Sequence, residues 1–250
     1  MRNSLKLKII IFNLLSFYGV KNFSYLNDSE TIEYLLKNKK SLIRWGDGES
    51  SCLLLKDIYF QKTSTELSSD LKSILVEYSA ENSKYLLAGP NKYLSADILT
   101  LLYENKLLTW IKSRYVFMKY IKRSNVLGDA FVFRPLSQLS NEIVEKLWIN
   151  HNIILVHPEV RVFEDFKRKY SSNKVMFIQI KSENAYSEIN DISKNIFNSG
   201  FSKSNTRILI SGGPAAKVII KLVSDKGYIA YDMGQYFKWK FYNKFNEKGI

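Results

Sequence analysis

The segment Ser41-Leu42-Ile43-Arg44-Trp45-Gly46-Asp47-Gly48-Glu49-Ser50 joins a short apolar run to two glycines and two carboxylates. The pair Leu42-Ile43 is typical of the end of a buried strand, and the glycines indicate a turn or a close approach of a ligand. Asp47 and Glu49 are two residues apart, so in an extended segment both side chains project to the same side. Two carboxylates placed in this way suit Mg²⁺ or Mn²⁺. A polar turn with solvated carboxylates is the alternative interpretation.

The rest of the chain alternates short apolar runs with helical patterns, which is typical of an α/β fold with a mostly parallel sheet. The apolar runs predict strands at 85–88, 130–133, 152–156, 174–180, 207–211 and 228–231. Apolar residues at helical spacing predict helices between them, for example over 65–79 and 107–120. We therefore expect a Rossmann-like sheet flanked by helices, with ligands bound at the carboxyl ends of its strands.

A second glycine-rich loop follows the predicted strand at 207–211. Gly212 and Gly213 lead into Pro214, which suits the first turn of a helix. A strand, a glycine pair and a helix in this order form a common phosphate-binding arrangement. The Gly-Lys-Ser/Thr ending of a Walker motif is absent.

Composition restricts the chemistry of the protein. The chain has 250 residues with an apolar fraction of 46%, which suits one domain with a full core. A single cysteine, Cys52, excludes an intramolecular disulfide framework and a multi-cysteine metal site. With only two histidines, a histidine-based zinc site is disfavoured, so a metal here would be bound by oxygen ligands.

The chain is basic, with 37 Lys and Arg against 24 Asp and Glu, a net charge of +13. The lysines are scattered and no RNA-recognition or helix-turn-helix pattern is present, which disfavours nucleic acid as the partner. An anionic membrane surface is the favoured explanation of the charge. The sequence gives no indication of the oligomeric state.

Residues 1–26 are basic and then apolar, without the small-residue cleavage site of a signal peptide. The apolar run is shorter than the roughly 20 residues that span a bilayer. We predict an amphipathic lead-in segment that packs on the domain or lies on a membrane face, followed by one domain over 27–250. This organisation predicts a cytoplasmic protein, with peripheral contact to the plasma membrane as an option.

The segment Arg44-Trp45-Gly46-Asp47-Gly48-Glu49 resembles the R-[FW]-G-D-G-E motif of the GT-D fold bacterial glycosyltransferases. In that family the Asp-x-Glu pair binds the metal that holds the diphosphate of a nucleotide-sugar. The resemblance implies that Asp47 and Glu49 are metal ligands. It also implies that Arg44, Gly46 and Gly48 lie beside the nucleotide-sugar.

Further segments match the family in the same order. Ser182 and Asn184 lie in a segment similar to P-S-x-N-A-[FY], which implies contacts with the nucleotide, although Ser182 also suits a helix N-cap. The Gly213-Pro214 segment resembles G-P-[TA]-[AS]-x-V, and the segment that begins at Asp232 resembles D-[IVL]-G-[HQ]. Arg134, before a proline as in family members, is expected to meet a phosphate or to form a surface salt bridge.

Two departures from the family concern the chemistry. Gln235 stands where the family usually has histidine, which removes that position as an acid or base. Family members have a Glu-Gly and then a Ser-Arg near 157–161, of which this chain keeps only Arg161. Glu159 is interpreted as a loop charge more readily than as a general base.

These observations predict a metal-dependent glycosyltransferase. It would move a hexose from a UDP-sugar to a glycan, glycoprotein or lipid-linked acceptor in bacterial surface polysaccharide or glycoprotein assembly. Asp232 is predicted to activate the acceptor, and Arg134 to stabilise the departing diphosphate. Two alternatives stay open: a non-catalytic nucleotide-sugar-binding partner of another transferase, and a basic protein that binds membranes or nucleic acid.

Overall fold

The computed structural model describes residues 23–122, 125–135, 137 and 139–242. These residues form one sheet with eight parallel strands, flanked by helices on both faces. The strands are β1 (Ser24–Tyr25), β2 (Ser41–Arg44), β3 (Tyr85–Gly89), β4 (Val126–Asp129), β5 (Asn152–His157), β6 (Val175–Gln179), β7 (Thr206–Ile210) and β8 (Ile229–Asp232). The predicted fold class is confirmed.

Helices connect the strands, as crossovers between parallel strands require. They are α1 (Asp28–Asn38), α2 (Asp47–Leu53), α3 (Thr65–Val76), α4 (Asn91–Ser95), α5 (Ile98–Tyr103), α6 (Leu107–Tyr120), α7 (Asn141–Glu145), α8 (Val160–Lys169), α9 (Ile189–Phe197), α10 (Gly213–Asp225) and α11 (Tyr236–Tyr242). Short 3₁₀ turns occupy Ala185–Glu188 and Lys203–Asn205. No helix of the described residues is long and apolar enough to cross a bilayer.

The strand order is β1-β4-β3-β2-β8-β7-β5-β6. The chain builds outward from β2 through β3 to β4 on one side, whereas the other side is built from β5 to β8. At the centre, Leu42 of β2 is level with Leu86 of β3 and with Tyr231 of β8. Open α/β sheets bind ligands where the strand order reverses. In this sheet that point is the carboxyl end of β2 and β8.

The core has one layer on each face of the sheet. Successive side chains of a strand point to opposite faces, so Ile43 packs in one layer while Leu42 packs in the other. In the same way Leu87 joins the first layer and Leu86 the second. Because both faces are covered, the central strands contain continuous apolar runs.

The structure corrects one predicted strand. Residues 126–129 form β4, whereas the predicted strand at 130–133 is a turn. The carboxylate of Asp129 accepts a hydrogen bond from the backbone N–H of Phe131 at 2.6 Å, which closes an Asx-type turn directly after the strand. The apolar residues Val132 and Phe133 are nevertheless buried, and this explains their strand-like pattern.

The last residues of the predicted lead-in segment join the sheet. Residues 24 and 25 form β1, which pairs with β4 at the edge of the sheet. Residues 1–22 of the predicted lead-in segment lie outside the described residues. Asn27 and Glu30 cap α1 reciprocally, so the first helix begins directly after β1.

Candidate active site

A cavity of about 600 Å³ opens at the carboxyl ends of the central strands. Its walls come from the loops after six of the eight strands and from α6 and α10, so residues distant in sequence share one space. The polar and charged side chains that line it are Arg44, Asp47, Glu49, Arg134, His157, Glu159, Ser182, Ser211, Lys217, Gln235 and Lys238.

The Asp-x-Glu segment is helical, which corrects the expectation of an extended chain. Helix α2 begins at Asp47, so the two carboxylates lie at the first and third helical positions and point in different directions. Asp47 is exposed toward the cavity, whereas Glu49 is only 8% exposed. The Glu49 Oε2 atom accepts a hydrogen bond from the backbone N–H of Gly46 at 2.8 Å. Glu49 therefore closes the turn that follows β2.

A buried lysine joins Glu49 to Asp232. Lys217 Nζ lies 2.8 Å from Glu49 Oε1 and 2.8 Å from Asp232 Oδ2, and it donates a further hydrogen bond to the carbonyl oxygen of Gly213. Lys217 is 5% exposed and Asp232 is 1% exposed. Burial opposes the charged lysine, but the two carboxylates outweigh this and raise the pKa of Lys217 above its usual value. The ion triad therefore links the ends of β2, β7 and β8.

Two arginines converge on the cavity from the other side. Among the described residues, neither Arg44 nor Arg134 forms an ion pair, and the buried Nε and Nη1 atoms of Arg44 have no hydrogen-bond partner. Arg44 lies over the ring of Phe133 and Arg134 over the ring of Phe131. Burial and the nearby Arg44 charge lower the pKa of Arg134. Two adjacent guanidinium groups that form no ion pair within the described part of the chain are suited to an anionic ligand.

Gly234 makes room for the Arg44 guanidinium. Its φ angle is +54°, and a Cβ atom at this position would overlap Arg44 Nη2. The glycine of the segment that begins at Asp232 therefore has two functions in the structure: it accepts the left-handed turn and it admits the arginine.

The arrangement fits a divalent ion at Asp47 but not a cage built from both predicted ligands. Asp47 exposes its carboxylate on the cavity wall, whereas Glu49 Oε2 accepts the Gly46 N–H and Glu49 Oε1 forms an ion pair with Lys217. Within residues 23–242, as far as they are described, no group of three or more His, Cys, Asp and Glu side chains is arranged to hold a metal. Mg²⁺ is commonly held by one or two carboxylates with substrate phosphates, so an ion at Asp47 would depend on the ligand.

The position of Asp232 argues against its predicted role as the base that activates the acceptor. It lies behind Lys217, does not line the cavity, and accepts a hydrogen bond from the backbone N–H of Gly234. Its burial at the end of β8 makes it a partner of Lys217 rather than a group that touches a ligand.

The remaining predicted residues divide into two groups. Gly46, Gly48, Ser182 and Gly213 line the cavity, as expected for residues that contact a ligand. Gly212 borders a smaller adjoining cavity, and Pro214 is buried in the first turn of α10. Gly212 and Pro214 therefore belong to the loop and the start of α10 without lining the main cavity.

Asn184 has a structural role that the sequence did not reveal. The Asn184 Oδ1 atom accepts a hydrogen bond from the backbone N–H of Lys62 at 2.7 Å. The backbone N–H of Asn184 donates to the carbonyl oxygen of Phe60. It is not among the residues that line the main cavity. Asn184 therefore holds the loop that carries Tyr59 and Phe60 against the cavity.

Sequence reasoning missed Lys217, His157 and Ser211 as site residues. Lys217 lies one helical turn after Gly213, where a side chain leans back toward the start of the helix, and this spacing was the available signal. His157 and Ser211 lie at the ends of neighbouring strands, which only the strand order reveals. Trp110 stacks on Tyr93 and also lines the cavity.

Comparison with known proteins identifies the family. The family described as "Glycosyltransferase GT-D fold" matches residues 42–248 of this chain. The chain belongs to the GT-D fold glycosyltransferase family. The match begins in β2, directly before the Arg44 to Glu49 segment, and includes every residue discussed above as part of the site.

Solved structures with the GT-D fold superpose closely on this chain. The structure described as "The highly conserved domain of unknown function 1792 has a distinct glycosyltransferase fold" has a TM-score of 0.75 and 19% sequence identity, over 95% of this chain and 88% of that one. A structure described as a new glycosyltransferase (DUF1792) from Streptococcus sanguinis has a TM-score of 0.71 and 20% identity, over 91% of this chain and 88% of that one. At these identities the likeness establishes the fold.

Two longer streptococcal proteins are similar in sequence. A probable glycosyl transferase, Gly, of Streptococcus gordonii is 23% identical over 225 residues, which are 86% of this chain and 32% of that protein. The glycosyltransferase GlyD of Streptococcus pneumoniae serotype 4 is 24% identical over 219 residues, which are 82% of this chain and 26% of that protein. The chain thus spans about a third or less of the length of these relatives.

Proposed function

We propose that this chain is a glycosyltransferase that takes a hexose from a nucleotide-sugar, with UDP as the nucleotide. The observation that carries the proposal is the pair Arg44 and Arg134, whose guanidinium groups face the cavity without ion-pair partners in the described part of the chain. A diphosphate supplies the negative charge and the planar oxygen pairs that guanidinium groups bind best. The relatives named as glycosyltransferases support this class of reaction.

The arginines would act on the leaving group. Negative charge grows on the diphosphate as the bond to the sugar breaks, and preformed positive groups in a partly buried site stabilise that charge. Arg44 is held by the ring of Phe133 and by the space at Gly234, so it needs little rearrangement to reach the ligand. Trp110 and Phe131 offer aromatic surface beside Arg134 for the base of the nucleotide.

A divalent cation fits this proposal at Asp47. Bound there, Mg²⁺ or Mn²⁺ would neutralise part of the charge of the diphosphate. Glu49 contributes indirectly, because it holds the Gly46 turn and Lys217 in place and thereby orients the first turn of α2. The acceptor is proposed to be a glycan, a glycoprotein or a lipid-linked sugar at the inner face of the plasma membrane, where the basic charge of the chain would assist.

The decisive experiment measures UDP binding by calorimetry and UDP-hexose hydrolysis with Mn²⁺ for Arg44→Gln, Arg134→Gln, Asp47→Asn and Lys203→Gln. Lys203 lies in the exposed 3₁₀ turn before β7, away from the cavity, and its substitution is the matched control for the loss of one positive charge. We expect each arginine substitution to weaken UDP binding at least tenfold, and Asp47→Asn to remove the response to Mn²⁺. Undiminished binding in both arginine variants would refute the proposal. Binding without turnover would favour a non-catalytic nucleotide-sugar-binding protein.

A further inference from the structure

His157 and Ser211 lie side by side at the carboxyl ends of β5 and β7. The backbone N–H of Ser211 donates to the carbonyl oxygen of Val156 at 2.9 Å, and the backbone N–H of Ile180 donates to the carbonyl oxygen of His157 at 3.4 Å. The strands on both sides of β5 therefore fix this end of the sheet. Both side chains line the cavity, although His157 is 1% and Ser211 is 8% exposed.

The hydrogen bonds of His157 determine its tautomer. The Nδ1 atom accepts a hydrogen bond from the backbone N–H of Glu159 at 2.9 Å, so in the neutral ring the proton resides on Nε2. Burial lowers the pKa of His157 to about 4, with the Glu159 carboxylate opposing and the Lys238 ammonium adding to this effect. At neutral pH the imidazole thus presents an uncharged N–H donor to the cavity.

Ser211 offers a second uncharged group at the same place. Its buried Oγ atom has no hydrogen-bond partner among the described residues. The two charges that act on His157 from the cavity wall, those of Glu159 and Lys238, form an ion pair at 2.5 Å and largely cancel each other. This end of the cavity is therefore polar but close to neutral, unlike the end that contains the two arginines.

The strand order sets the separation of the two ends. Arg44 is the last residue of β2, and β8 and β7 lie between β2 and β5. With about 4.8 Å between neighbouring strands, Ser211 and His157 lie roughly 10 to 14 Å from the line of β2. A hexose attached to a diphosphate that is bound at the arginines would extend toward this end, where uncharged donors suit its hydroxyl groups.

We propose that His157 and Ser211 form a hydrogen-bonding subsite for hydroxyl oxygens of the donor hexose. The inference rests on the proposed function, and it assigns the choice of sugar to two residues outside the motif segments. The donor sugar preference of this chain is therefore expected to depend on His157.

Matched substitutions separate the donor function of His157 from its structural function. His157→Asn keeps an acceptor for the Glu159 N–H but lacks the Nε2 donor, whereas His157→Gln places an amide donor near the Nε2 position. Calorimetry should be carried out with UDP, UDP-glucose and UDP-galactose. We expect His157→Asn and Ser211→Ala each to weaken the better UDP-hexose about fivefold to tenfold, with UDP affinity unchanged. The affinity for the better UDP-hexose should fall less in His157→Gln than in His157→Asn.

Other outcomes would overturn the inference. An equal loss for UDP would place the contact on the nucleotide, and no loss for any ligand would show that there is no subsite. A wild-type chain that binds UDP no more weakly than either UDP-hexose would refute the subsite but leave the proposed function intact. A wild-type chain that binds neither UDP nor a UDP-hexose would refute the proposed function itself.

Nuclear magnetic resonance tests the tautomer independently of activity. The sequence has only two histidines, so a His151→Gln variant leaves the His157 imidazole as the only ring of its kind. Long-range ¹H–¹⁵N spectra at pH 7 should show the proton on Nε2, and its resonance should move with the better UDP-hexose but not with UDP. A proton on Nδ1 would contradict the assigned donor.

Discussion

Lys217 is the residue on which the arrangement of the site depends most. Its buried ammonium group lies 2.8 Å from each of two buried carboxylates, that of Glu49 in α2 and that of Asp232 at the end of β8. A buried ion pair adds little net stability, but the removal of one partner leaves uncompensated charge in a low dielectric. Without the lysine, Glu49 and Asp232 would each keep one backbone hydrogen bond, from Gly46 and Gly234, but their buried charges would have no cation.

We therefore predict that Lys217→Met lowers the free energy of unfolding by about 3 to 5 kcal/mol. Urea denaturation at pH 7 measures this. Lys221→Met is the matched control, since Lys221 lies one turn further along α10 and pairs with the exposed carboxylates of Glu77 and Asp225. Lys221→Met should lower the free energy of unfolding by less than about 1 kcal/mol. Equal effects of the two substitutions would contradict the role assigned to Lys217.

Gly234 provides a residue-scale test of the Arg44 position. Gly234→Ala should cost about 1 to 2 kcal/mol for the left-handed backbone and should also displace the guanidinium group. We expect UDP affinity to fall at least tenfold, measured by calorimetry. Gly227→Ala is the control: Gly227 has a φ of +88°, but nothing lies within 4 Å of the added methyl group. This control should lose stability and keep its UDP affinity.

Asp129 predicts a pH dependence of stability. Burial raises the pKa of Asp129 to about 6, although the Phe131 N–H and the nearby arginines favour its ionised form. Because this value exceeds the ordinary pKa of about 4, the native state binds more protons than the unfolded state between pH 4 and 6. The contribution of Asp129 to stability is therefore present below pH 4 and is lost as the pH rises through 6.

The substitution Asp129→Asn removes this titration and keeps an acceptor for the Phe131 N–H. We expect it to stabilise the protein at pH 7 by about 1 to 3 kcal/mol and to reduce the change in stability between pH 4 and 6. Denaturation at both pH values measures the difference. Glu164→Gln, which removes an exposed carboxylate on α8, should change neither quantity. A variant that is less stable than wild type at pH 7 would show that the Asp129 charge is favourable.

At the scale of elements, the loop over 56–63 depends on the 3₁₀ turn that follows β6. Asn184 has a φ of +54°. Its side-chain Oδ1 accepts from the backbone N–H of Lys62, and its backbone N–H donates to the carbonyl oxygen of Phe60. The loop places Tyr59 and Phe60 on the cavity wall, so one asparagine positions an aromatic segment more than a hundred residues earlier in the sequence.

Hydrogen exchange measures how firmly this loop is held. Asn184→Gly keeps the left-handed backbone but removes the Oδ1 acceptor, so the amide of Lys62 should exchange about tenfold faster. Asn184→Asp keeps the acceptor, so its Lys62 amide should exchange at the wild-type rate. Identical exchange in all three proteins would mean that the loop is held by other contacts.

At the scale of the whole molecule, the two halves of the chain share one sheet. β2 of the first half pairs with β8 of the second, and the Oγ atom of Ser41 accepts hydrogen bonds from Ser224 Oγ and from the backbone N–H of Ala230. The two core layers also extend across both halves. Neither half can bury its inner edge alone.

We predict a single cooperative unfolding transition. Tryptophan fluorescence and far-ultraviolet circular dichroism should have the same urea midpoint, because the strand pairs and core layers of both halves are lost together. Ser41→Ala leaves the Ala230 N–H without its partner and should lower the free energy of unfolding by about 1 to 3 kcal/mol, with an equal shift of both signals. Separate midpoints in either protein would contradict the prediction.

Much of the fold follows from local pattern. Alternating apolar runs and helical periodicities predicted an α/β fold with a mostly parallel sheet, and the structure confirms it. The glycine-rich segments predicted loops at the carboxyl ends of strands, where Gly46, Gly213 and Arg44 do line the cavity. The prediction of a strand at 130–133 was wrong, because a turn with buried apolar residues has the same sequence pattern as a strand.

The sequence by itself determined the fold class, the family motifs and the edge of the sheet at which the site lies, since these depend on periodicity and on short segments. Only the tertiary structure decided that Glu49 turns inward to Lys217, that Asp232 lies behind it, and that His157 and Ser211 are neighbours. The physical reason is that strand order and the burial of each side chain arise from contacts between residues far apart in the chain, which no local pattern records.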